Sequence, residues 1–183
     1  NDGSTDNTKR IIEKIAKEDN RLRVINKTNG GLSSARNAGL DIAKGEFLLF
    51  LNNDTIQDPN WLQPLVDRMK SDESIAALQP KILNYYSRKL FDYAGGSGGH
   101  LDLFCFPFAR GRVFLEQEKD TGQYDDAQKC FWASGTAMLV RKKTFFAAGK
   151  FDETFFAHME EIDLCWRFQA MGFQVWSEPK SVI

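Results

Sequence analysis

The sequence predicts an α/β fold in which a mostly parallel central sheet is flanked by helices. Short, continuous apolar runs such as Phe47–Leu51 are typical of strands that are covered on both faces. Between such runs lie longer segments whose apolar residues recur at helical spacing, as in residues 62–69. Strands that alternate with helices in this way form βαβ units, whose sheets bind ligands beyond the carboxyl ends of the strands.

The composition suits one globular domain over residues 1–183. Apolar residues make up 42% of the chain and aromatic residues 13%, which is enough to fill a sizeable core. The 24 basic and 25 acidic residues nearly balance, and no block of Lys and Arg suggests a nucleic-acid partner. No apolar stretch approaches the roughly 20 residues that span a bilayer. We therefore expect neither a nucleic-acid partner nor a membrane segment.

The three cysteines argue against a disulfide framework or a structural zinc site. Cys105, Cys130 and Cys165 are odd in number, far apart in the sequence and without a C-x-x-C pair. This usage favours a reducing compartment such as the cytoplasm. We expect three buried or partly buried thiols.

Residues 1–6, NDGSTD, are all turn formers or helix caps, so the sequence begins in a loop. An apolar stripe at helical spacing in residues 11–16 predicts the first helix. A domain seldom begins on a strand-to-helix turn. We therefore expect at least one β-strand, and with it a βα unit, to precede this sequence.

A second βα unit is predicted from a short strand over residues 21–26 and a helix from about Ser33 to Ala43. Small side chains on this helix allow a close approach to the sheet, whereas Arg36, in the first turn, is expected to point off that face. The residues expected to pack on the sheet are Ala35, Ala38, Gly39 and Ile42.

The strand predicted at 47–51 ends in a cluster of oxygen ligands, Asn52, Asn53 and Asp54. Because ligands bind beyond the carboxyl ends of such strands, Asp54 is a candidate ligand-binding residue. A polar turn after a strand is often no more than a turn, which leaves the alternative open. A helix that opens at Asp58–Pro59 and ends near residue 70 is predicted next.

The βα rhythm breaks after a strand predicted at 75–83. Residues 85–115 are irregular, aromatic and rich in glycine. The four glycines at 95–99 lack the G-x-x-x-x-G-K-[ST] pattern and a following helix, so a β-ribbon or surface loop is favoured over a phosphate cradle. A strand at 136–140 and a helix at 143–148 are then predicted.

The last predicted helix, residues 159–171, opens with Glu160, Glu161 and Asp163. Acids in a first turn suit the helix dipole, and this alone can account for them. Helical geometry places Glu160 and Glu161 at the apolar stripe and Asp163 off it, on the side of Arg167. An inward carboxylate needs a partner or a task, because burial raises its pKa toward the range of a general base.

Histidine and serine residues give weaker signals. His100 and His158 have no H-x-x-x-H or H-E-x-x-H spacing, although His158, close to Glu160, could line the same pocket. Ser4, Ser33, Ser34 and Ser134 do not lie in a G-x-S-x-G elbow, which disfavours a serine hydrolase built on any of them.

Three motifs together closely resemble family 2 glycosyltransferases: NDGSTDNT at 1–8, NGGLSSARNAGLDIAKGEFLLFLNNDT at 29–55, and SGTAMLVRKKTFFAAGKFDETFFAHMEEIDLCWRFQAMG at 134–172. The resemblance is nearest to the bacterial, rhamnosyltransferase-like branch. It implies the GT-A fold, a single α/β domain with a Rossmann-like nucleotide-binding part, here about 1–84, and an acceptor-side part, about 85–183. It also implies a strand and helix before NDGSTD.

The resemblance implies an inverting enzyme with a UDP-, dTDP- or GDP-sugar donor, a glycan or lipid-linked acceptor, and a divalent cation, Mn²⁺ or Mg²⁺. It suggests bacterial cell-surface polysaccharide synthesis, in the cytoplasm and at the inner face of the membrane. The aromatic residues of the segment 85–130 would then either stack on sugar or pack within the protein, and packing is favoured. They are Tyr85, Tyr86, Phe104, Phe106, Phe108 and Phe114.

Matched residue by residue, the resemblance places Asp2 at the donor base or ribose and Arg36 near the nucleotide or its phosphates. Asn53 and Asp54 fall in the donor-binding turn, with Asp54 as the metal carboxylate. The family commonly shows Asp-X-Asp where this chain has Asn52-Asn53-Asp54, so one acidic ligand is replaced by an amide. Asn52 can still offer an oxygen to a hard cation.

On the acceptor side, the family's Glu-Asp pair corresponds to Glu160 and Glu161. Glu161 would then be the general base that takes the proton of the acceptor hydroxyl, and Glu160 is the second candidate. Two other functions stay open: a metal-dependent nucleotidyltransferase, and a non-catalytic module that binds a nucleotide sugar or a glycan.

Overall fold

The computed structural model describes all residues from 1 to 183. The helices are α1 (Thr8–Glu18), α2 (Gly31–Ala38), α3 (Leu62–Ser71), α4 (Lys142–Ala147) and α5 (Glu160–Ala170), with a 3₁₀ turn, Gly39–Asp41, after α2. The strands are β1 (Phe47–Leu51), β2 (Ile75–Lys81), β3 (Gly99–Leu101), β4 (Pro107–Ala109), β5 (Arg112–Val113), β6 (Glu116–Gln117), β7 (Gln128–Cys130), β8 (Ala137–Arg141) and β9 (Gln174–Val182).

The central sheet has five strands in the order β1-β8-β2-β9-β7. The prediction of an α/β fold is confirmed, with one correction to the strand pairing. Three strands, β1, β2 and β9, run in the same direction, but only the β2–β9 ladder joins parallel neighbours. The segment 82–136 begins and ends at the carboxyl edge of β2. β8, which follows this segment, must therefore run back, antiparallel to β1 and β2.

Helices cover both faces of the sheet, which explains why β2 is buried at every position. On one face, Leu65 and Met69 of α3 pack on Leu78 and Leu139. On the other face, α4 and α5 pack on β1, β2 and β8, with Phe50, Phe145 and Phe151 in mutual ring contact at centroid distances of 4.9 to 5.3 Å. Because successive side chains of a strand point to opposite faces of the sheet, each of these three strands contributes residues to both cores.

The glycine-rich stretch is buried rather than exposed as a surface loop. Gly99 opens the β3–β4 ribbon, and a Cβ atom there would lie 1.9 Å from the indole of Trp132. Glycine is therefore required by close packing, and the ribbon interpretation is correct. A second ribbon, β5–β6, follows.

The aromatic residues of this region do not pack in the core, contrary to expectation. The most exposed are Tyr86 at 93%, Phe114 at 90% and Phe104 at 82%. Two of the turns that carry them contain a non-glycine residue with left-handed backbone, Cys105 and Phe114.

Several predicted boundaries shift. Residues 21–26 form no strand; the neighbouring Lys27 makes a single parallel bridge with Asp2. The third helix begins at Leu62 rather than at Asp58–Pro59. Residues 58–61 form a separate turn, in which the Trp61 backbone N–H donates to the Asp58 carbonyl. α1 forms as predicted, yet its stripe is not buried: Ile11 is 50% exposed.

The predicted inner face of the second helix is wrong. Ser33 and Leu40 are buried, whereas Ile42 is 45% exposed. Arg36 points inward instead of off the packed face, because it has a buried carboxylate partner on α5. The spacing of Ala35, Ala38, Gly39 and Ile42 predicted the wrong inner face for this helix. Helical periodicity shows which residues share a face, but it does not show an ion-pair partner that is distant in the sequence.

Two cysteines are buried and one is not. Burial raises the pKa of the Cys130 thiol to about 12 and also raises that of Cys165. Cys105 is exposed at the β3–β4 turn, contrary to expectation, because the ribbon carries it away from the core. None of the helices has the length and apolar character needed to cross a bilayer.

Candidate active site

The polar turn after β1 lies at the carboxyl edge of the sheet, as predicted. The Asn52 backbone N–H donates to the Thr136 carbonyl at 2.9 Å, which ties this turn to the start of β8. Beyond it is a cavity of about 280 Å³ lined by Asn52, Asp54 and Tyr85, among others. Asn53 and Asp54 are exposed, so their oxygen atoms are open to a ligand.

Sequence reasoning missed several residues of this cavity. Arg88, Asp92 and Thr136 also line it. They follow β2 or precede β8, and both of these strand ends lie at the same edge as Asp54. No recognised sequence motif assigns a role to any of these three residues, so none could be predicted from the sequence. A larger groove, of about 830 Å³, lies at the opposite end of β1, around Glu46, and none of the candidate residues lines it.

Arg36 joins the two ends of the candidate site. Its Nη1 donates to Glu160 Oε1 at 2.9 Å, and its Nη2 donates to the Gly135 carbonyl at 2.6 Å and to Asn52 Oδ1 at 3.2 Å. The side chains of Arg36 and Glu160 are only 9% and 3% exposed. One guanidinium therefore links α2, the turn after β1, the turn before β8 and the start of α5.

Burial sets the electrostatics of this group. It lowers the pKa of Arg36, although Glu160 and Glu161 act in the opposite direction. For Glu161, burial raises the pKa, and the charge of Glu160 raises it further against the opposing effects of its own backbone N–H, Arg36 and His158. A carboxylate of raised pKa can take a proton from a bound hydroxyl near neutral pH.

Both glutamates have one oxygen that lacks a partner. Glu160 Oε2 and Glu161 Oε2 are buried and accept no hydrogen bond. An unsatisfied buried carboxylate oxygen is costly and favours a donor group brought by a ligand. Glu160 and Glu161 thus face inward as predicted.

The remaining residues of this helix start have other roles. Asp163 lies on the side of Arg167, as predicted, and pairs with it at 2.5 Å. His158 is exposed and, with Met159, has left-handed backbone just before α5. His100, on β3, stacks on Phe108. The favourable effect of an acid on the helix dipole is therefore enough to explain the presence of Asp163, but not that of the inward-facing Glu160 and Glu161.

Asp2 lies at the beginning of α2. Its carboxylate accepts from Lys27 Nζ at 2.8 Å and from the backbone N–H groups of Gly30 and Gly31, the latter at 3.0 Å. The hydrogen bond from Lys27 lowers the pKa of Asp2. A contact between Asp2 and a donor base stays a prediction.

The oxygen atoms at the end of β1 fit a divalent cation. Asp54 offers an exposed carboxylate, and Asn52 offers an amide oxygen that also accepts a hydrogen bond from Arg36; carboxylate and amide oxygens are ligand types that Mg²⁺ and Mn²⁺ accept. No cluster of three His, Cys, Asp or Glu side chains could hold a metal by itself. A cation at this edge would therefore need further oxygens from its ligand, as is usual for Mg²⁺ bound with phosphates.

The family described as "Glycosyl transferase family 2" matches residues 1–145. The glycosyltransferase GlyG of Streptococcus pneumoniae is 26% identical over 164 residues, which covers 88% of this chain and 50% of GlyG. The chain spans half or less of the length of the first curated relatives it matches.

Solved structures share the fold. GalNAc-T7 with UDP, GalNAc and Mn²⁺ superposes with a TM-score of 0.72 at 21% identity, over 96% of this chain and 34% of that one. A mannosyltransferase of Pyrobaculum calidifontis with GDP-Man and Mn²⁺ gives 0.64 at 16% identity, over 98% and 44%. At these identities the likeness concerns the fold alone, and it confirms the predicted GT-A fold.

Proposed function

The chain belongs to glycosyl transferase family 2, and on this premise we propose that it carries the catalytic site of an inverting glycosyltransferase. The enzyme moves a sugar from a nucleotide-sugar donor to an acceptor hydroxyl. One observation supports this most directly: Arg36 contacts both Asn52, in the turn after β1, and Glu160, at the start of α5. The turn that would hold the donor and the helix that would activate the acceptor therefore lie side by side.

On the donor side, the nucleotide diphosphate lies at the carboxyl edge of β1, next to Asn53 and Asp54. Asp54 and Asn52 would hold Mn²⁺ or Mg²⁺ there, and the cation would neutralise the charge that develops on the leaving diphosphate. Asp2, fixed at the start of α2, lies at the base or ribose. The solved complexes that share the fold contain UDP with Mn²⁺ or GDP-Man with Mn²⁺.

On the acceptor side, Glu161 is the general base. An acceptor hydroxyl is a poor nucleophile near neutral pH, so its proton must pass to a carboxylate as the oxygen attacks the anomeric carbon. Glu161 has a raised pKa and a buried oxygen without a partner, which suits this transfer. Direct displacement by the acceptor oxygen inverts the anomeric centre.

The pathway is proposed from the relatives. The relatives cited are bacterial glycosyltransferases, and the family resemblance favours a glycan or lipid-linked acceptor and a role in bacterial cell-surface polysaccharide synthesis. Tyr85, which lines the cavity with Asp54, is 63% exposed and is a candidate for stacking on sugar.

Donor binding can be tested by thermal unfolding of the full-length protein with UDP-, GDP- and dTDP-sugars, with and without Mn²⁺. We expect one nucleotide to raise the melting temperature only when Mn²⁺ is present, because a ligand that binds the folded state alone stabilises it. Asp54→Ala should abolish that shift. Asp126→Ala, an exposed aspartate with no hydrogen-bond partner, is the matched control and should keep it.

Transfer is tested with the identified donor. Glu161→Gln should retain the thermal shift and lose transfer to acceptor. A shift without transfer by the unaltered protein would favour the non-catalytic binding module, and no shift with any donor would contradict the proposed donor site. Equal transfer by Glu161→Gln would contradict the base assignment.

A further inference from the structure

The two glutamates at the start of α5 are neighbours in sequence but have different partners. Glu160 is 3% exposed at its side chain and is held by Arg36 at 2.9 Å. Glu161 has no ion-pair partner within salt-bridge distance and keeps a buried, unpaired oxygen. Adjacent carboxylates in unlike environments are a recognised way to separate an anchored charge from a group that exchanges protons.

Both Nη atoms of the Arg36 guanidinium donate hydrogen bonds within the protein. They donate to Glu160, to the Gly135 carbonyl and to Asn52 Oδ1. A side chain that makes three such bonds and is only 9% exposed presents little surface to a phosphate. These contacts within the protein differ from the contacts with the nucleotide or its phosphates that the family resemblance implies for Arg36.

We propose that Arg36 is a positioning residue for the acceptor side: it neutralises and fixes Glu160 and thereby leaves Glu161 as the carboxylate free to take the proton. The inference rests on the proposed function, since Glu161 is the base only if the protein transfers sugar to a hydroxyl.

Four groups bear on the charge of Glu161. Arg36 approaches from α2, Glu160 and the Cys165 thiol lie on α5, and His158 lies in the turn before it. Arg36 and Glu160 together contribute no net charge. Without Arg36, the charge of Glu160 is no longer compensated, and an uncompensated like charge raises the pKa of Glu161 further.

The test uses variants that change this local charge in a defined way. Arg36→Gln leaves one uncompensated negative charge beside Glu161. Arg36→Lys and the double variant Arg36→Gln/Glu160→Gln both restore the neutral sum. The carboxyl carbons of Glu160 and Glu161 are followed by ¹³C NMR as a function of pH, with Glu161→Gln used for assignment.

We expect Glu161 to take up its proton about one pH unit or more higher in Arg36→Gln than in the unaltered protein. Arg36→Lys and the double variant should differ from the unaltered protein by less than half of that shift. An unchanged titration in Arg36→Gln would overturn the proposal, and so would an equal shift in the double variant. If Arg36→Gln does not fold, the double variant and Arg36→Lys still decide: a titration shifted upward in both would overturn it.

Kinetics separate positioning from phosphate binding. The double variant should recover at least about tenfold in transfer rate relative to Arg36→Gln, and all three variants should bind UDP within about twofold of the unaltered protein. If Arg36 instead contacted the phosphates, the double variant would be as impaired as the single one and UDP would bind more weakly. The NMR titration needs no turnover, so it decides the proposal even if the protein shows no transfer.

Discussion

Asp2 accepts a hydrogen bond from the backbone N–H of Gly31, the first residue of α2, at 3.0 Å. The two residues are 29 positions apart, so a carboxylate from the first turn of the chain caps a helix that begins much later. Gly30 also donates to this carboxylate. The cap fixes the start of α2, and α2 carries Arg36 to the candidate site.

Removal of this cap should destabilise the protein. For Asp2→Ala we expect the free energy of unfolding at pH 7 to fall by about 1 to 2 kcal/mol, because helix N–H groups lose their acceptor and the helix dipole loses its anion. The pKa of Asp2 is lowered in the folded state, so its contribution is present above the unfolded value and is lost as pH falls through the lower folded value. Urea unfolding at pH 7 and at pH 3 measures this, and the difference between variant and unaltered protein should shrink at pH 3. Asp126→Ala should change stability by less than about 0.5 kcal/mol.

The buried carboxylate of Glu161 should lower the free energy of unfolding at neutral pH. Burial raises its folded pKa, so the fold binds this proton more tightly than the unfolded chain does. The resulting penalty is absent below the unfolded pKa and appears as pH rises through the folded one. We expect Glu161→Gln to stabilise the protein by about 1 kcal/mol at pH 8 and by much less at pH 4. The exposed Glu18→Gln is the control; a loss of stability in Glu161→Gln at pH 8 would contradict the interpretation.

An acid at position 52 should strengthen the metal site. Asn52→Asp restores the Asp-X-Asp pattern, and Arg36 Nη2, now 3.2 Å from Asn52 Oδ1, can hold the new carboxylate. Because hard cations prefer carboxylate to amide oxygen, we expect Mn²⁺ to bind about tenfold more tightly in the presence of UDP. Titration calorimetry measures the affinity. Asn53→Asp adds the same charge one residue away and should have a smaller effect; equal gains would mean that only net charge matters.

Gly31 and Gly172 offer a matched test of packing at the start of α2. Both have a backbone φ of +86°, but a Cβ at Gly31 would lie 2.5 Å from the Phe156 carbonyl oxygen, whereas no atom lies within 4 Å of one at Gly172. Gly172→Ala should cost about 1 to 2 kcal/mol for the left-handed backbone alone. Gly31→Ala should cost at least about 1 kcal/mol more, because the turn before α5 must move. Equal losses in urea unfolding would show that this contact is not tight.

Local patterns predicted the elements that carry the site. The strand at 47–51 and the acidic start of the last helix were both located correctly, because a buried strand and a helix start each have short-range signals in the sequence. The predicted strand at 21–26 failed for the opposite reason. A strand needs a neighbour, and these residues make only a bridge at their end, between Lys27 and Asp2.

Long-range partners could not be predicted. The inward direction of Arg36 depends on Glu160, 124 residues away, and the apolar residues of α2 favoured the other face. The antiparallel position of β8 between β1 and β2 depends on where the segment 82–136 returns to the sheet. The exposure of Phe104 and Phe114 likewise follows from ribbons whose course no periodicity shows.

The strand order also bears on how the chain is made. Each of the four ladders in the central sheet contains β8 or β9, the last two strands within residues 1–183. Within residues 1–183, a ribosome therefore releases β1 and β2, with their apolar side chains, before the partners in these four ladders have been synthesised. We expect nascent chains stalled before β8 to be digested readily by protease in these segments, and chains released beyond β9 to resist. Early resistance would mean that the first strands find other partners during synthesis.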